Sequence, residues 1–260
     1  MRFTRISACS ALVLLAGPAA GQEMHHEWAA TRYELSFFET EAPALGDEIE
    51  TWHHASVEAG ARRARLTSIV RGNWATRFND DGIQLEADLY PSWPGRGYAY
   101  FSGAWSDGGV FPDMRLAGEL FASLPSALEA SAGVVYMDFG GDDVTLAVGS
   151  LSKYTGNYWL SARPIWTTGE GDFALTLIGR RYLRTPGEFV TLRLLGGTTP
   201  EEVVTRGHTS LETFGAQADA QLELTRRFLV LPLVAVAREE LSTGDTRMRY
   251  SVGVGGMYRF

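Results

Sequence analysis

The chain of 260 residues contains one cysteine, Cys9, and it lies within the first ten positions. A disulfide framework is therefore excluded, and so is any cysteine-based metal site. No window reaches the roughly 18 consecutive apolar residues that a membrane-crossing helix requires. Helical periodicity is also missing: no stretch repeats its apolar residues every three to four positions over a helix length. Basic charge is in deficit, since 23 Lys and Arg face 31 Asp and Glu for a formal net charge of −8. An acidic surface repels phosphate backbones, which makes nucleic acid an improbable partner. Glycine-rich stretches such as Gly253–Gly256 lack the spacing of a phosphate-binding loop, and suit close packing or curvature in a strand.

What the chain does contain begins with an export signal. Arg2 and Arg5 precede an apolar run from Ile6 to Ala16, which Gly17, Pro18 and small residues follow. This is the layout of a secretory signal peptide, with cleavage expected after Gly21. Cys9 stands before most of the apolar run, which is the wrong order for a lipoprotein cleavage box. Residues 1–21 are read as the signal, 22–27 as a short polar tail and 28–260 as one domain. Removing residues 1–21 from 260 leaves 239 and, with the two arginines, takes the formal charge from −8 to −10.

Period two runs through almost all of that domain. The clearest case is the end, where Met248, Tyr250, Val252, Val254, Gly256, Tyr258 and Phe260 alternate with Arg249, Ser251, Gly253, Gly255, Met257 and Arg259. A strand that long with one apolar face would be an aggregation hazard on an open sheet edge. A closed barrel in a bilayer has no edge, and its apolar face belongs outside. The same alternation recurs at Phe214–Thr225, Arg115–Leu124 and Ile83–Tyr90. Near-neutral mean hydropathy is compatible with this, because half of each strand faces the lumen.

Turn residues divide the domain near 28–40, 47–60, 62–77, 82–93, 96–107, 112–125, 127–139, 143–154, 157–168, 172–184, 188–196, 210–225, 228–241 and 246–260. The expected fold is all-β: an antiparallel up-and-down transmembrane β-barrel of about 14 strands, with 12 as the alternative. With the N-terminus in the periplasm, the outer connections include 106–112 and a long loop at 196–210. Trp74, Phe78, Trp93, Trp105, Trp159, Trp166 and Tyr258 lie near segment ends, where interfacial girdles belong. The last strand is expected to close the barrel against Tyr33–Phe37. Its two final aromatics, Tyr258 and Phe260, read as the signal recognised by the barrel assembly machinery. The expected location is the bacterial outer membrane, with its lipid as the surrounding partner.

One stretch resembles a known family. Lys153-Tyr154-Thr155-Gly156-Asn157-Tyr158-Trp159, within Gly149–Ser161, is similar to the signature hairpin of the YaiO family of outer-membrane β-barrels. Phe111-Pro112, Glu119–Pro125 and Glu129–Gly133 are similar to that family's preceding segments. The resemblance spans essentially the whole mature chain and implies an outer-membrane barrel. It implies no established activity and supplies no catalytic residues.

Register assigns the charged residues of the wet face. Arg63, Arg65, Arg71 and Arg77 are expected on one face of the third segment, opposite Glu86 and Asp88 of the fourth. Glu129, Arg163, Arg180 and Arg193 should also look inward, as should Asp219, Glu223, Arg247 and Arg249. Such a lumen is either a cross-braced filling of mixed charge or a conduit for a saccharide or small charged solute.

Catalysis has little support. Of five histidines, His53 and His54 share one strand and face opposite ways. His54 inward with Ser56 two residues on is the candidate nucleophile–base pair, without a third member or an elbow motif. His25 and His26 beside Glu23 and Glu27 read as a polar tail rather than a metal site, and no cofactor is indicated. Two functions remain open. One is a non-enzymatic envelope barrel, such as a narrow pore or an accessory of saccharide export or assembly. The alternative is a membrane-embedded lipid- or glycan-modifying hydrolase.

Overall fold

The structure, a computed structural model, describes residues 6–7, 26–40, 51–77, 80–107, 109–169, 171–203, 207–240 and 246–260. It is a closed antiparallel barrel of 14 strands. The strands are β1 His26–Thr40, β2 Thr51–Arg63, β3 Leu66–Arg77, β4 Asp80–Trp93, β5 Gly97–Ser106, β6 Met114–Leu124 and β7 Leu128–Asp138. They continue as β8 Asp143–Thr155, β9 Tyr158–Thr167, β10 Phe173–Tyr182, β11 Phe189–Val203 and β12 Gly207–Glu223. Strand β13 comes in two pieces, Phe228–Val230 and Leu233–Glu240, and β14 is Thr246–Arg259. The break falls at Leu231-Pro232, where proline has no N–H to give a ladder. The expected signal segment 1–21 and residues 22–25 of the expected tail lie outside the described residues, except that Ile6 and Ser7 pair with Val203 and Glu202.

Closure is made by the terminal strand. Tyr33 pairs with Val254 and Phe37 with Tyr250, as the alternation predicts, while the other edge of β14 pairs with β13. Each strand is 10 to 17 residues long except the divided β13, enough for the tilted strands that cross a hydrocarbon layer. Each strand pairs with a neighbour on both sides, which satisfies the backbone groups that lipid could not.

The apolar residues point outward. Leu120 is 63% exposed, Val254 59% and Ile83 58%, whereas Asp88 is 1% and Glu86 3%. That inversion of the usual soluble pattern is the physical mark of a barrel wetted inside and greased outside. Trp74, Trp93, Trp105, Trp166 and Tyr258 lie on the outer surface. Trp159 does not: it is buried at 5% and faces the interior, because it shares parity with Ser161 and Arg163. Phe78 is outside the described residues.

Two further expectations are corrected. The loop expected at 196–210 is largely strand, since the β11–β12 ladder continues from Gly197↔Thr213 to Val203↔Gly207. The third strand starts at Leu66 rather than 62, because Ala64 turns the chain in the left-handed region at φ 50°.

Candidate functional site: an ion-braced lumen

One rim holds the short turns 64–65, 94–96, 125–127 and 156–157 together with Trp28 and Arg259; the opposite rim holds the connections 107–113, 139–142 and 168–172. Between them the interior wall is layered.

At the opposite rim, a connection folds into the mouth. Val110 and Phe111 are buried with Ala75 of β3, and the Phe111 ring meets His54 edge-on at 6.4 Å. Ser106 fixes the loop by donating to the Pro112 carbonyl at 2.8 Å. Beside it, Trp52 is packed among arginines: Arg247 lies 5.1 Å and Arg77 5.2 Å from its ring centroid. Glu239, fully buried, accepts from Arg247 Nε at 2.6 Å and pairs with Arg249 at 2.9 Å. The facing wall is apolar, built from Met137, Phe139, Leu146 and Ile165.

The middle layer is ionic. Arg71 donates through Nε and Nη2 to Glu58 at 3.1 and 2.8 Å, and through Nη1 to Glu86 at 2.6 Å. Asp88 stands 3.8 Å from the same guanidinium, and Arg115 holds the second Glu86 oxygen at 2.9 Å. Arg115 reaches Glu86 past the whole of β5, so these side chains brace the wall along a chord. Glu119 and Arg163 do the same past two strands, through hydrogen bonds of 2.8 and 2.5 Å. Arg193 pairs with Asp219, and Arg180 donates to Thr191 at 3.1 Å.

The short-turn rim carries aromatics. Tyr98 and Phe121 stack at 4.3 Å and 8°, and Tyr98 donates to Glu129 at 3.4 Å. Arg259 pairs with Glu223 at 2.6 Å. Below them the 183–188 turn tucks inward, with Gln221 donating to the Gly187 carbonyl at 2.7 Å. The Glu188 carboxyl accepts from Arg184 at 2.5 and 2.9 Å and from the Glu223 amide at 3.1 Å, which holds it below the usual carboxylate range.

Twelve of the fourteen expected lining residues thus stand on the interior wall or its rims. Arg63 and Arg65 do not. Arg63 ends β2 on its outer parity, 76% exposed and paired with Glu27 at 3.2 Å, while Arg65 sits in the exposed turn. Both are displaced because the turn comes at Ala64. His54 and Ser56 share the inward face, but His54 meets Phe111 and Asn73 rather than Ser56. His53 faces outward and bonds the Tyr33 hydroxyl at 2.5 Å. Arg32, Glu58, Glu239 and the infolded Val110-Phe111 also belong to the interior, without being among the lining residues expected from the sequence.

The profile of the YaiO membrane beta barrel domain matches residues 33–202. The chain belongs to the YaiO family. No curated protein sequence matches it. Among solved structures, the Acinetobacter baumannii outer membrane protein Omp33 aligns with a TM-score of 0.54 at 13% identity, over 92% of this chain and 100% of that one. Pseudomonas aeruginosa OpdQ gives 0.49 at 8% identity, over 91% and 99%. The COG4313 outer membrane channel of Pseudomonas putida F1 gives 0.48 at 12% identity, over 95% and 100%. At these identities the likeness concerns the barrel fold.

Proposed function

We propose that this YaiO barrel is a non-enzymatic pore of the bacterial outer membrane, narrow and selective for small polar or charged solutes. The observation that carries the reading is the ionic middle layer. Buried carboxylates and guanidiniums bridge along the wall from Glu58 to Arg115 and from Glu119 to Arg163. Such groups need water or one another, and a lumen lined with them is a polar route through lipid rather than an apolar plug. The mouth is constricted by Phe111 and the layer of arginines around Trp52. In this reading the short turns face the periplasm and the 107–113 connection faces outward. Tyr258 and Phe260, edge to face at 5.2 Å on the exposed surface, are offered to the assembly machinery.

The hydrolase alternative finds less support, since His54 is engaged by Phe111 and Asn73, with no orienting acid at its side among the described residues. Liposome swelling tests the pore. Proteoliposomes holding the barrel should swell in isosmotic arabinose and resist swelling in a long oligosaccharide. Absence of swelling in every solute would contradict the proposal.

A further inference from the structure

The inner face of the short-turn rim carries a run of rings. Neighbouring strands bring them together in register: Tyr98 of β5 with Phe121 of β6, Tyr154 of β8 with Trp159 of β9, and Tyr182 of β10 with Phe189 of β11. On β7, Glu129 takes the corresponding place, in register with Ser152. Parity turns these side chains inward, since Tyr154 shares its face with buried Ser152, Trp159 with Ser161 and Phe189 with Thr191. Tyr98 and Phe121 stack at 4.3 Å, Tyr154 and Trp159 stand at 6.4 Å, and Tyr182 and Phe189 at 6.3 Å. Phe121, Tyr154, Tyr182 and Phe189 are only half-buried, so part of each ring faces the lumen. The arc takes in every strand from β5 to β11, half of the fourteen.

Two observations separate this arc from passive filling. The Arg180 guanidinium lies 3.9 Å over the Phe189 ring and 5.7 Å from the centroid of Trp159. Its Nε donates to Thr191, the residue is 5% exposed, and it makes no ion pair among the described residues. A buried guanidinium clamped between rings, with five donors and no carboxylate, has hydrogen bonds left to give. Trp159 is also 5% exposed, and its indole N–H has no partner among the described residues. A buried donor left unpaired costs stability, and phenylalanine would supply a ring there without it. At the other end of the arc Glu129 accepts from Tyr98 at 3.4 Å and keeps further acceptor capacity.

Ring faces bordered by spare donors and acceptors suit a ligand that is apolar on its face and polar around its edge. A sugar ring has that form: C–H groups to lie on an aromatic, and hydroxyls to meet Arg180, the Trp159 N–H and Glu129. We infer that this arc is a saccharide-binding site at the short-turn mouth of the lumen. As a statement about transport this rests on the pore reading; as a statement about binding it stands alone.

The test is saturation-transfer difference NMR on the purified barrel in lauryldimethylamine oxide, a detergent without sugar or aromatic groups. Aromatic protons are irradiated while maltotriose, or separately trigalacturonate, is titrated in. Wild type should transfer saturation to at least one of them in a saturable manner, and the one that binds more tightly tells whether Arg180 meets a hydroxyl or a carboxylate. Phe189→Leu keeps apolar bulk without the ring and should raise the half-saturating concentration about fivefold or more. Trp159→Phe keeps a ring without the N–H and should raise it about threefold or more. Trp166→Phe makes the same change on the outer face of the same strand and should leave it unaltered. No saturable transfer to either saccharide in wild type would overturn the proposal, and so would equal binding by all three variants. Heat-modifiable gel migration verifies folding; should Phe189→Leu not fold, Trp159→Phe against Trp166→Phe carries the comparison. Saturable binding by a barrel that passes no arabinose would refute the pore and keep the site. Arabinose flux without saturable binding would do the reverse.

Discussion

Arg163 and Glu119 meet inside the barrel with the whole of β7 and β8 between their strands, joined by Nη1–Oε1 and Nη2–Oε2 hydrogen bonds of 2.8 and 2.5 Å. Both are almost inaccessible to solvent, and Ser131 adds a third donor to the carboxylate. Removing one partner leaves the other charged and buried. Glu119→Ala should therefore cost about 3–5 kcal/mol, whereas Glu119→Leu with Arg163→Met should recover most of that loss. Urea unfolding of the barrel in lipid vesicles measures both. Equal stability of wild type and Glu119→Ala would mean that the chord does not brace the wall.

The outward register has its own signature. Val252 and Val254 are 48% and 59% exposed on the face that meets lipid. Arginine at Val254 should cost about 2–4 kcal/mol near the bilayer midplane, and Val254→Ile almost nothing. On the inner face, Ser251 is hydrogen-bonded to Ser36 at 2.7 Å, so Ser251→Ala should cost about 1 kcal/mol. The folded fraction after refolding into vesicles orders the three variants. If Val254→Arg folds as well as wild type, the faces are reversed.

Acid should loosen the short-turn rim. Arg184 holds the Glu188 carboxyl below its ordinary range, and Glu188 in turn caps the Glu223 amide. A depressed carboxylate contributes stability that is present at neutral pH and lost as pH falls through its folded value. Amide hydrogen exchange at 183–188 should therefore quicken, relative to the intrinsic rate, as pH drops below the ordinary carboxylate range. Glu188→Gln should show the quickening already at neutral pH. A variant that matches wild type at all pH values would remove the role given to this carboxyl.

Much of this barrel is legible in the alternation itself. Period two persists through β4, β6, β12 and β14, so strand identity and the parity of Glu86, Asp88, Asp219 and Arg249 follow from counting. Turns were harder. The step from β2 to β3 is made by Ala64 without any Gly, Pro or Asn beside it, so Arg63 and Arg65 looked like strand residues. Conversely, Gly196, Gly197 and Pro200 suggested a loop where the ladder continues. Trp159 lies near a strand end, as a girdle residue would, but its parity with Arg163 points inward. The meeting of Arg163 with Glu119 could not be read at all, because it depends on curvature that brings strands two apart to face one another across the lumen.

In the pore reading, the infolded connection narrows the mouth. Phe111 is buried against Ala75, with Val110 beside it. Phe111→Ala removes the largest apolar side chain of that constriction, on a loop outside the ionic brace, and should widen the path without unfolding the wall.

Single-channel recording in planar bilayers is the most direct measurement of the central claim. Purified wild-type barrel should give discrete, small conductance steps, and Phe111→Ala larger ones under the same salt. A silent bilayer with both folded proteins would contradict the claim that this lumen is a pore.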